Sequence, residues 1–329
     1  MAFLSNLASC RAIPARFTRA FSSSRVVVAL NPTIRTVWDS SGVQQQKQRS
    51  IPLADAPVQD PVFRYCEELS TPLPEKFRTL HQRSIEAYPM SANKTISELQ
   101  GQFLQLLMRI TRPRSVLELG CFMGYSAMAM ADGMSRGATL YTCEKDAKAA
   151  RLARDLFVER GYLHPHHPRD VSGGNGVQHG VQIQLLEGDA LSSLESLTQQ
   201  RLQFDAVFLD ADKGNYINYL NRILDGDLLS ENGYIIADNV LFRGMVLPQR
   251  SDSEGDEAEL PSPAPSPPLS PQQDDPKADA ERVRSRTSLQ RTADHMDAFN
   301  RHVKGDPRLE VVVLPIFDGI SVIVRKNKA

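Results

Sequence analysis

From Pro61 onward apolar positions recur every three or four residues, and this spacing predicts helices before any strand. Val62, Tyr65, Cys66 and Leu69 mark the first; beyond Pro72 and Pro74, Phe77, Leu80 and Ile85 mark a second. A third spans Ile96 to Ile110, repeats Leu99, Phe103, Leu106, Leu107 and Ile110 on one face, and stops before Pro113. These three are expected to cover a sheet that follows. The period then changes to short, mainly apolar runs without turn residues, the mark of strands buried on both faces. The runs are Ser115–Leu119, Thr139–Cys143, Val181–Leu186, Phe204–Leu209 and Tyr234–Ala237. Amphipathic stretches alternate with them: Gly124–Met134, Asp146–Arg160 closed by Gly161, and Leu191–Gln199. A helix at Thr287–Lys304, burying Leu289, Ala293, Met296 and Phe299, precedes two last strands, Leu309–Leu314 and Ile320–Arg325. The short Pro315–Gly319 connection lets the final strand run antiparallel. The cadence predicts an α/β fold: a doubly wound, seven-stranded, mostly parallel sheet with helices on both faces.

Three stretches break the pattern. Residues 1–38 carry Arg11, Arg16, Arg19, Arg25 and Arg35, several serines, no lysine and no acid before Asp39, a mitochondrial presequence composition. The alternative is a disordered basic tail on a cytoplasmic protein; either way residues 1–57 are expected to lie outside the fold, leaving 58–329 as the domain. Residues 162–180 hold His164, His166, His167 and His179 among prolines and glycines. They lack the i, i+4 spacing of a helical metal site and read as a surface insertion. Residues 251–284 open acidic, continue Pro/Ser-rich and contain no aromatic residue, so they are expected to form a disordered insertion.

Composition narrows the function. Hydrophobic residues make up 41% of the 329, and no apolar run reaches the length of a membrane span. A net charge of −1 argues against a general nucleic-acid or anionic-membrane surface and for a small-molecule partner. Cys10, Cys66, Cys121 and Cys143 form no C-x-x-C pair, so reduced thiols are expected.

Candidate chemistry gathers at the ends of the strand runs. The first run stops on Gly120, and strand, glycine loop and helix together read as a nucleotide-type site with free backbone N–H groups. A pyrophosphate would need glycine at 122 and a small residue at 125, where Phe122 and Tyr125 stand. A bulky loop suits a cofactor without phosphates, S-adenosylmethionine (SAM) being the common one. Glu144, at the end of the second run, falls about where the ribose-binding acid of a βαβ unit lies. A glycine turn in a nucleotide-free α/β domain is the alternative. Asp210, Asp212, Asp238 and Asn239 follow the fourth and fifth runs, at the sheet edge where such folds bind ligands. Oxygen donors without Cys or His select a hard cation, Mg²⁺ before Mn²⁺ or Ca²⁺. The same acids could instead cap the helices that follow.

The segments E-L-G-C-F-M-G-Y-S, C-E-K-D, E-G-D-A, L-D-A-D-K-G-N-Y, A-D-N-V-L-F-R-G and L-P-I-F-D-G-I resemble the cation-dependent class I SAM O-methyltransferases, the caffeoyl-CoA and catechol O-methyltransferase-like group. The resemblance covers about 60–247 and 286–326 and implies a Rossmann-like fold and a possible homodimer. It implies cofactor contacts at Ala92, Glu118, Gly120, Cys121, Ser126, Glu144, Ala190 and Asp212, with Met90 beside Ala92. It implies metal ligands at Asp210, Asp238 and Asn239. Phe242-Arg243 stands where the plant caffeoyl-CoA enzymes carry Trp-Asn, which favours the broader catechol-like branch. Lys213, three residues from Asp210, is expected to accept or stabilise the departing proton, its pKa lowered by the cation. A non-catalytic SAM-binding protein and an NAD-dependent dehydrogenase are the competing classes, Phe122 speaking against the latter.

Overall fold

The computed structural model describes residues 61–89, 91, 94–163, 180–247 and 276–326, with the backbone alone for 276–286. The expected leader, the four histidines, Met90, Ala92 and residues 251–275 lie outside these. The element order is α1 (Pro61–Leu69), α2 (Glu75–Ala87), α3 (Glu98–Thr111), β1 (Ser115–Leu119), α4 (Tyr125–Gly133), β2 (Thr139–Glu144), α5 (Ala147–Glu159), β3 (Gln182–Glu187), α6 (Ala190–Gln199), β4 (Phe204–Leu209), α7 (Tyr216–Asp225), β5 (Leu229–Asp238), α8 (Pro276–Gly305), β6 (Leu309–Leu314) and β7 (Ile320–Arg325). No helix among the described residues is long and apolar enough to cross a membrane.

The seven strands form one sheet in the order β3-β2-β1-β4-β5-β7-β6. β1 pairs in parallel with β2 and β4, and β4 with β5; β7 runs antiparallel between β5 and β6. The order reverses between β1 and β4, so their carboxyl ends open the crevice where doubly wound sheets hold ligands. Each sheet face buries its own core. Phe77, Leu104, Met108, Met130 and Phe157 of α2–α5 pack on one, and Leu194, Leu220, Ile223, Met296 and Phe299 of α6–α8 on the other.

Helix starts follow local chemistry. Ser97, Asp146 and Asp189 cap α3, α5 and α6 by accepting free backbone N–H groups, and Arg112 ends α3 in the left-handed conformation before Pro113.

Three expectations are corrected. α3 buries Gln100, Gly101, Leu104 and Met108, and leaves the expected core residues Leu106 and Ile110 at 57% and 69% exposure. The small residue decides this: a Cβ on Gly101 would lie 3.0 Å from the Tyr125 ring, so the close approach to α4 is made on that face. α1 buries nothing, with Val62, Tyr65 and Leu69 all exposed. α8 begins at Pro276 rather than Thr287, so the end of the stretch read as insertion is helical. Its Lys, Ala, Glu and Arg residues favour a helix without needing a core.

Candidate active site

The site is built on the carboxyl ends of β1, β2, β4 and β5. β1 ends in Gly120 at φ 100, and a Cβ there would lie 2.4 Å from the carbonyl oxygen of Asp210. Only glycine lets the β1 loop pass so close to the tip of β4. The N–H groups of Gly120 and Cys121 both donate to the Cys143 carbonyl, at 3.1 and 2.9 Å, and that of Phe122 to Glu144 Oε2 at 2.6 Å. The loop therefore does not offer the expected row of free N–H groups. These are consumed by β2, which leaves no phosphate cradle of the kind a dinucleotide requires.

Glu144 accepts a second N–H, from Asp146, at Oε1, so one oxygen braces the β1 loop and the other the turn that opens α5. Glu118 is fully buried; Oε2 accepts the Thr142 hydroxyl at 2.5 Å, and Oε1 has no hydrogen-bond partner among the described residues. Burial pushes its pKa up to about 8, against the pull of the Ser126 and Thr142 hydroxyls. An orphaned buried carboxyl oxygen beside a glycine loop is an acceptor waiting for a ligand's donor. Ser126, buried in the first turn of α4, lies beside Glu118, and Ala190 is buried at the start of α6. Cys121 is buried, and that burial holds its thiol well above its usual pKa, which keeps it from acting as a thiolate.

β4 and β5 pair with Leu209 opposite Ala237, which sets the next residues, Asp210 and Asp238, side by side. Asp238 is 1% exposed. Burial first and the charge of Asp210 next push its pKa up, while Lys213, the Gln100 amide and the Asn239 N–H draw it down. The Asn239 N–H donates to its Oδ1 at 2.7 Å. Lys213 Nζ donates to Asp210 Oδ1 at 2.6 Å and to the Tyr216 hydroxyl at 2.9 Å. Although burial alone would lower it, the protein's own groups, Asp210 first, raise the Lys213 pKa, whereas the lowering expected above belongs to the site with its cation. The ammonium is flanked by acidic groups, and these outweigh its desolvation.

Capping accounts for one acid of the set. Asp212 Oδ1 accepts the Gly214 N–H at 3.1 Å as the cap of a short helical turn over Lys213–Asn215. Asp210 and Asp238 instead face one charge, that of Lys213. Among the described residues no three His, Cys, Asp or Glu side chains gather as a metal centre. Asp210 and Asp238 supply hard carboxylate oxygens of the kind Mg²⁺ takes, while the Asn239 side-chain amide hydrogen-bonds to Asp318.

Two contributors escaped sequence reasoning. Gln100, 5% exposed on α3, stands near enough to Asp238 for its side-chain amide to draw that carboxyl's pKa down. A buried amide on a helix face otherwise apolar was the available signal. Asp318, between β6 and β7, accepts the Arg243 N–H at Oδ1 at 2.5 Å, and its backbone carbonyl accepts the Leu241 N–H at 3.0 Å. It thereby fixes the loop after β5, where Asn239, Phe242 and Arg243 all hold positive φ.

Comparison with known proteins places this geometry. Residues 67–260 match the family model described as O-methyltransferase. The O-methyltransferase ankF of Aspergillus thermomutatus is 31% identical over 268 residues, 81% of this chain and 93% of that protein. Caffeoyl-CoA O-methyltransferase 5 of Nicotiana tabacum is 25% identical over 271 residues, 81% of this chain and 91% of that one. The SAH-bound Podospora anserina methyltransferase PaMTH1 superposes with a TM-score of 0.62 at 28% identity, covering 85% of this chain and 100% of that structure.

Proposed function

We propose, from the premise that this chain belongs to the O-methyltransferase family and takes its methyl group from SAM, that it methylates one hydroxyl of a small catechol-like or caffeoyl-like aromatic with the help of a divalent cation. The observation that carries the reading is the pairing of Asp210 and Asp238 at adjacent strand tips, one of them almost wholly buried. Two carboxylates drawn together out of water repel each other unless positive charge lies between them.

Asp210, Asp238 and Asn239 would hold the cation, Mg²⁺ first. When bound, it would lower the pKa of adjacent acceptor hydroxyls. Glu118, Gly120, Ser126, Ala190 and Glu144 would hold SAM, which supplies an electrophilic methyl group. Glu118 Oε1 is the free acceptor in that set, and Glu144 keeps the loop in place. Lys213, held as an ammonium by Asp210, acts on this reading as a fixed positive charge that stabilises developing charge on the acceptor oxygen. Holding donor and acceptor in line then accounts for much of the acceleration.

The Lys213 ammonium on Asp210 also favours a second reading, in which this built-in cation replaces the metal and the enzyme is metal-independent. One assay separates the two: methylation of a catechol panel with Mg²⁺, with EDTA, and by Asp238→Ala. The metal reading expects a loss of about a hundredfold or more in the last two conditions. Full turnover in EDTA would sink it and leave Lys213 as the cation.

A further inference from the structure

The geometry points to Tyr216 as a positioning residue that locks the two strand tips and Lys213 into one arrangement, a role that rests on the reading of Lys213 given above. Tyr216 opens α7 and is wholly buried. Its hydroxyl stands 2.8 Å from the Leu209 carbonyl and 3.2 Å from the Asp238 carbonyl, and it accepts a hydrogen bond from Lys213 Nζ at 2.9 Å. Leu209 immediately precedes Asp210, so a single phenolic oxygen bridges the backbone of both acidic tips and holds the ammonium that Asp210 also holds.

The valence of the hydroxyl defines what it does. Its one proton is shared between two carbonyls, and a lone pair is filled by the ammonium. It has no proton or lone pair left to exchange with a methyl acceptor, so Tyr216 positions and does not act as acid or base. Lys213 spends two of its three N–H donors on Asp210 and Tyr216, and the third stays directed by those two. The ring is held from behind, edge-on to Phe299 of α8 at 5.2 Å between centroids. A tyrosine kept only to fill the core would not need its hydroxyl at this junction.

The test is Tyr216→Phe in the full chain, with Tyr234→Phe as the measure of losing a tyrosine hydroxyl bond elsewhere, since Tyr234 bonds only to Thr111 at 2.8 Å among the contacts described. Tyr216→Phe should lower kcat about tenfold, leave KM for SAM and acceptor within about twofold, and shift Tm no more than Tyr234→Phe does. In a Lys213→Met background the same substitution should change kcat by less than about twofold, because the route through Lys213 is already gone. Hydrogen exchange of peptides over 209–213 and 238–242 should quicken in Tyr216→Phe. Should the variant not fold, fluorotyrosine labelling offers another readout: Lys213→Met should move the ¹⁹F resonance of Tyr216 and leave that of Tyr234 in place. An unchanged kcat, an equal loss in the Lys213→Met background, unaltered exchange, or an unmoved resonance would each overturn the role. If the wild-type chain methylates no catechol, the acceptor reading fails by itself, and the exchange and ¹⁹F measurements still decide on Tyr216.

Discussion

At the scale of single residues, Glu118 shows how the site is poised. A carboxyl ionises in the unfolded chain near 4.3, whereas the buried Glu118 does so at about 8. The folded protein therefore holds a proton that the unfolded chain releases between those values, and stability contributed by the protonated form declines as pH rises through that window. Glu118→Gln should thus raise Tm over the wild type at pH 8, leave it nearly unchanged at pH 4, and weaken SAM binding; calorimetry at the two pH values checks all three. Sequence alone brought Asp210, Asp238 and Lys213 to one place, because strand ends and spacing are visible as pattern. The hold of Asp210 and Tyr216 on Lys213 was not visible, since it depends on how near they stand once the chain is folded. Gln100 and Tyr216 were illegible for the same reason: both look like ordinary members of a helix until the fold aims them.

Elements differ in how far a pattern defines them. β4, β6 and β7 are found at the expected residues, their apolar runs being bounded by turn formers. The face of α3 was misread because counting large side chains favours Leu106 and Ile110, while packing was settled by the absence of one at Gly101. The loop from Asn239 to Gly244 is an element that no propensity describes. Three non-glycine residues there adopt left-handed backbone, a strain of roughly 1 kcal/mol or more each, which surrounding contacts must offset. Asp318 supplies one such contact and Asn300 of α8 another, its Nδ2 donating to the Val240 carbonyl at 2.7 Å. Asp318→Ala should relax this loop, lowering kcat several-fold with the acceptor KM raised and SAM affinity held; steady-state kinetics beside SAM titration would show the split.

For the whole molecule, sheet order explains the division of labour. The strands on one side of the reversal carry the Glu118 and Glu144 half, and β4 and β5 carry the acidic tips. The doubly wound sheet with its antiparallel seventh strand was legible in the alternation of runs and helices. Which surfaces stay uncovered was not, because burial by another chain leaves the same apolar imprint as burial within one. Val62, Tyr65 and Leu69 on α1, Leu106 and Ile110 on α3, and Val312 and Val313 on the edge strand β6 are all exposed. We propose that a second copy of the chain covers part of this surface in a homodimer. The double change Leu106→Glu with Ile110→Glu should convert a dimer to a monomer in light scattering while the isolated chain stays folded; an unaltered mass would rule these residues out of the contact.

The near-contact between Gly120 and the Asp210 carbonyl carries a further lesson for anyone redesigning the enzyme. A pocket enlarged to admit bulkier sulfonium donors, bearing ethyl or allyl in place of methyl, cannot gain its room by altering position 120. The β1 loop and the tip of β4 touch there through backbone alone, and any side chain added at 120 pushes directly on the Asp210 carbonyl and so displaces the strand tip that carries its carboxylate.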